Sequence, residues 1–92
     1  DLTQQYRNEY EQARTNLQAA RLALDTRERD LALVRENLDL YKIRFSEGVL
    51  LASAVTDAEQ ALQQTQYNYL KSAYDALVAA LEMRKATGEI KP

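Results

Sequence analysis

Arg44-Phe45-Ser46-Glu47-Gly48-Val49-Leu50-Leu51-Ala52-Ser53 separates two long stretches of helix-forming sequence, and its reading decides the fold. Gly48 can take the left-handed conformation that ends a helix, so a first helix is expected to stop there. Ser53 is a candidate N-cap for a restart. Thr56-Asp57-Ala58-Glu59 has the spacing of a capping box, with Asp57 and Glu59 suited to the positive end of a helix dipole. The spacing therefore predicts helix 1 over about 1–47, a tip turn over about 48–53, helix 2 over about 54–87 and a tail over 88–92. Gly88 would be the C′ residue, with Pro92 beyond it.

Upstream of the turn, Tyr6, Tyr10, Ala13, Leu17, Ala20, Leu24, Leu31, Val34, Leu38, Tyr41 and Phe45 fall at alternating steps of three and four, interrupted only where Arg27 occupies a step. That pattern keeps one face apolar on a slightly underwound helix and is the signature of a left-handed coiled coil. Arg27 would lay its stem along the seam, with the guanidinium reaching solvent or a nearby acid, or would fix the register as a lone polar seam residue. A helix of this length, roughly 70 Å at 1.5 Å per residue, needs a partner along its length.

Downstream, Val55, Ala58, Leu62, Thr65, Tyr69, Ala73, Ala76, Ala80 and Met83 form one stripe, while Tyr67, Leu70, Tyr74, Leu77 and Leu81 form another. The fold class expected is all-α, a long antiparallel two-helix coiled-coil hairpin, with the first stripe packed on the upstream seam. Helix 1 also carries Leu22, Leu33, Leu40 and Ile43 off its seam. Two-sided helices imply neighbours on both sides, as in a bundle, a barrel of helices or an oligomer. Folding about Gly48 to Ala52 brings Gly88 near Ala13 and leaves roughly a dozen N-terminal residues unpaired. That overhang, with helical periodicity already running in the first residues, is expected of a segment cut from a longer protein.

Composition narrows the function classes. The 92 residues carry 12 Lys and Arg against 14 Asp and Glu, a net charge of −2, with the signs well mixed. No basic face is offered to a phosphate backbone, so nucleic acid is not an expected partner. His and Cys are absent, which removes the usual general base, thiolate chemistry and the Glu-x-x-His motif of di-iron bundles. Nucleophile and phosphate-cradling motifs are missing too. The chain is not expected to be an enzyme or to hold a cofactor or metal. No apolar run approaches the ~20 residues that span a bilayer as a helix. The runs Arg21 to Asp30 and Glu82 to Lys85 read as solvated faces, with i,i+4 pairs such as Arg21 with Asp25 and Asp25 with Arg29.

At the turn the residues become more specific. Arg44-Phe45-Ser46-Glu47-Gly48-Val49, followed by Val55-Thr56-Asp57-Ala58-Glu59-Gln60-Ala61-Leu62, resembles the hairpin tip of TolC-family outer-membrane efflux proteins. Tyr67-Asn68-Tyr69-Leu70, Ala73-Tyr74-Asp75-Ala76-Leu77 and Ala86-Thr87-Gly88 are similar to that hairpin's second arm, in order and at matching distances. The resemblance covers essentially the whole chain and is strongest to the second of two hairpins in each protomer. It implies a homotrimeric channel with a β-barrel in the Gram-negative outer membrane and an α-helical barrel in the periplasm, to which this segment would belong. It implies docking, tip first, on a periplasmic adaptor protein and, through it, an inner-membrane pump for multidrug efflux or type I secretion.

By matching positions, Gly48, Val49, Leu50 and Leu51 would meet the adaptor, and Arg44 corresponds to the family's tip arginine. Asp57 matches one position of the acidic rings that constrict some members' pores. The other acidic position is Ala54 here, and the Ser or Thr common three residues after the glycine is Leu51, so a double acidic ring is not implied.

Several readings stay open at this point. Asp57 is a helix-terminus charge, a pore ligand or both. Arg44 complements the negative end of helix 1 or touches the adaptor. Tyr6, Tyr10, Tyr41 and Tyr69 sit on seam positions, which favours packing over an aromatic binding stripe. The exposed stripes would let the isolated segment self-associate into a helical bundle. A periplasmic adaptor's own coiled-coil hairpin has the same shape but usually an Arg, Leu and Ser tip pattern, not visible here. A cytosolic coiled-coil scaffold is the remaining alternative.

Overall fold

Asp1 starts the first helix: its carboxylate Oδ1 accepts the amide of Gln4 at 2.9 Å, and its carbonyl accepts the amide of Gln5. This is the N-cap geometry that satisfies amides with no intrahelical partner. From there α1 runs Leu2–Ser46, and after a short turn α2 runs Ala52–Ile90. The computed structural model describes residues 1–90. The two helices fold back on each other as an antiparallel hairpin, all-α, with no strand among the described residues.

The packing falls into two units, Asp1–Leu24 with Ser72–Pro92 and Asp25–Lys71. In the first, Ala13, Ala79 and Ala86 are buried, while Tyr10, Leu17, Ala20, Leu24, Ala76, Ala80 and Met83 are half-buried. Ala13 and Ala86 line one shallow groove in that unit. In the second unit Leu31, Leu38 and Ala58 are buried, and Val34, Tyr41, Val55, Leu62, Thr65 and Tyr69 are half-buried. Leu31 and Tyr69 share a groove there.

The upstream seam is thus covered wherever it faces α2. Tyr6 and Phe45, at its two ends, are exposed. Arg27 keeps 45% of its side chain exposed and reaches Asp30 at 3.6 Å, the one ion pair among the described residues. Arg21 with Asp25 and Asp25 with Arg29, expected as i,i+4 pairs, do not close. Arg21 precedes its acid, the weaker orientation on a helix, and Asp25 has a short stem.

On α2 the repeat is more regular than the one traced above. Ser72, Ala79 and Ala86 continue the column begun by Ala58 and Thr65 at steps of seven, and all five are buried or half-buried. Every residue in that column is small, which lets the helix backbones approach closely.

Both expected boundaries of α2 need correction. Its first helical residue is Ala52, so Ser53 lies inside the first turn and is not the N-cap. Thr56 does not close a capping box: its hydroxyl donates to the carbonyl of Ala52 at 3.3 Å, as helix-interior threonines do. Gly88 is helical, and the one glycine with positive φ is Gly48. Pro92 lies outside the described residues.

Candidate functional site at the hairpin tip

The turn is closed by main chain. Val49 donates its amide to the carbonyl of Arg44, and Gly48 donates to that of Phe45, both at 3.0 Å. These are the 6→1 and 5→2 bonds of a Schellman motif with Gly48 at C′, and Gly48 accordingly has a φ of +80°. Ser46 adds a cap from its side chain, with Oγ donating to the carbonyl of Ile43 at 2.7 Å. The carboxyl end of α1 is thereby satisfied within a few residues.

The amino end of α2 is not. Leu51 occupies the N-cap position, where Ser, Thr, Asp or Asn would supply an acceptor. The amide of Ala54 donates to the carbonyl of Leu51 at 3.1 Å, and among the described residues no side chain accepts from Ala52, Ser53 or Ala54. Leu51 is 76% exposed and Val49 68% exposed, whereas Leu50 is half-buried. The tip therefore presents two apolar side chains beside unpaired backbone donors.

Arg44 lies in the last turn of α1, exposed, one turn before Gly48. Asp57 is the sixth residue of α2, so it stands beyond the first turn, where a helix dipole acts on charge. Its reading as a helix-terminus charge is weakened accordingly, and Glu59 is further away still. Asp57 is exposed and belongs to no ion pair among the described residues. The structure thus brings Arg44, Gly48, Val49, Leu50 and Leu51 together at one end of the hairpin and places Asp57 on the helix leading away from it.

Outside the tip, the long apolar exposures form two stripes. On α2 they are Tyr67, Leu70, Tyr74, Leu77 and Leu81; on α1 they are Leu22, Leu33, Leu40 and Ile43. Each stripe lies on roughly the opposite side of its helix from the covered seam, by the 3.6-residue turn. Among the described residues there is no group of three or more His, Cys, Asp or Glu placed to hold a metal, and no helix is long and apolar enough to cross a membrane.

No protein-family model matches this sequence, and neither a curated protein nor a solved structure matches it.

Proposed function

We propose that the chain is the periplasmic hairpin of a TolC-type outer-membrane export channel, docking by its tip on a periplasmic adaptor and forming part of the exit duct. The observation that carries this reading is the apolar, uncapped start of α2. A polar residue at Leu51 would contribute about 1 kcal/mol to the helix, yet an exposed leucine stands there. A local choice that sacrifices stability at an exposed turn fits a surface shaped for a partner. In the duct, each helix would have a neighbour on either side, which accounts for stripes on both faces of α1 and α2. Three copies of Asp57 would approach one another where the tips converge and narrow the pore. The chain would have no catalytic role and need no cofactor.

The test is disulfide cross-linking in cells carrying the parent protein and its adaptor, with Val49→Cys or Leu51→Cys paired against cysteines at the adaptor's tip. Links at these positions, absent from a mid-helix Gln18→Cys control, are the expected result. If neither tip position links while the adaptor is present, the docking assignment fails and a scaffold role becomes the better account.

A further inference from the structure

Between Leu24 and Leu31 the seam of α1 carries no apolar side chain, because Arg27 holds the seam position between them. Arg27 keeps 45% of its side chain exposed and pairs with Asp30 one turn further along, so its ion pair lies within α1. A polar residue at a core position of a coiled coil lowers stability locally. The fault falls where the packing divides: on α1 the first unit ends at Leu24 and the second begins at Asp25.

Taken each by itself, the two units are unequal. Among the described residues, the buried side chains of the first are Ala13, Ala79 and Ala86, and those of the second are Leu31, Leu38 and Ala58. A buried leucine removes more apolar surface from water than a buried alanine, so the second unit is held more strongly. Chain connectivity acts in the same direction. The helices of the second unit are joined by the turn at Gly48, closed by two main-chain hydrogen bonds, whereas those of the first are joined only through the whole of Asp25–Lys71. Closing that longer loop costs more conformational entropy unless the second unit is already folded.

We propose that the hairpin opens in two steps: the first unit separates while the second stays zipped, and the seam fault at Arg27 is where the opening stops. Contiguous core packing passes an opening from one heptad to the next, and a heptad that lacks its apolar side chain breaks that coupling. The second unit, tip included, is therefore the last to open and closes without help from the first. The first unit closes only on a second that is already zipped. The proposal stands on the packing within each unit and does not depend on the channel reading.

Native-state hydrogen exchange of the purified 92-residue chain, read by mass spectrometry on peptides from each unit, tests it. Amides around Leu17 and Ala79 should exchange about tenfold or more faster than those around Leu38 and Leu62. Leu17→Ala should quicken exchange in the first unit alone. Leu38→Ala should quicken it in both, because the first unit relies on a closed second. Should Leu38→Ala lose helical circular dichroism, the milder Leu38→Val carries the same comparison. Arg27→Leu should repair the seam and slow exchange in the first unit, narrowing the gap to roughly threefold or less. Equal exchange in the two units, or faster exchange in the second, overturns the proposal, as does Leu17→Ala quickening both units alike. An unchanged gap in Arg27→Leu overturns the role of Arg27 as the stop. None of these outcomes bears on tip docking, which is read in cells with the adaptor.

Discussion

Gly48 holds a φ of +80°, and a Cβ built there meets nothing within 4 Å. The position therefore resists side chains for one reason only, the left-handed backbone, which costs L-residues roughly 1–2 kcal/mol. Gly48→Ala should destabilise the chain by about that amount, and Gly48→Asn by less, because asparagine tolerates this conformation. Urea unfolding of the three proteins checks it; equal losses for Ala and Asn would point to a clash instead. Gly48 was legible in the sequence because helix formers on both sides leave a glycine few other tasks. Arg27 was legible too: its stem occupies a seam position while the guanidinium pairs with Asp30 near solvent. Leu51 was not. Sequence reading sought a polar N-cap and found Ser53, since nothing local announces that a helix will begin behind a leucine.

At the scale of the helix, the docking proposed above would make Leu51 the residue where stability and recognition trade off. Leu51→Asp supplies the missing acceptor and should raise the stability of α2 by about 0.5–2 kcal/mol. The same change should reduce cross-linking from Val49→Cys to the adaptor, since it places a charge in an apolar contact. Thermal unfolding and the cross-linking yield, measured on one variant, should move in opposite directions; a variant that gains both would show that the leucine has no docking role. The heptad of α1 could be read from sequence alone because large residues mark it. Along α2 the expected stripe, Ala73 included, is buried or half-buried throughout, but the column Ala58, Thr65, Ser72, Ala79 and Ala86 is small and partly polar, so its last three members went untraced. Hydrophobicity is a weak guide where close approach, not volume, selects the residue. The end of α2 was misread for a related reason: a glycine near a helix terminus is a C′ residue only if the chain turns there, and Gly88 stays helical.

For the molecule as a whole, surface area gives the measure. The chain exposes 7055 Å², against roughly 5,400 Å² for a compact monomer of 10.5 kDa. No described side chain is completely buried, and the six most buried are four alanines and two leucines. A single hairpin thus leaves much of its apolar surface uncovered, and covering it by association should add to stability by mass action. The melting temperature of the purified chain should rise by several degrees on a hundredfold increase in concentration, and calorimetry at two concentrations checks this. A midpoint independent of concentration would mean that the hairpin is stable unaided. The hairpin fold followed from the sequence because two apolar repeats and one glycine specify it. What covers the outer stripes could not be read in the same way, since an exposed heptad names a helix as its partner but not whose helix.

The closure of the turn has an evolutionary consequence. Its two defining hydrogen bonds join backbone atoms of Arg44, Phe45, Gly48 and Val49, so they persist through side-chain changes at residues 49 and 51, proline at 49 excepted because it has no amide to donate. Shape and, on the proposed docking, partner identity would thereby be encoded in separate atoms. Mutation could then exchange Val49 and Leu51 step by step, each intermediate keeping the same bend, so a lineage that docks as proposed could drift toward a new partner without passing through a misfolded ancestor.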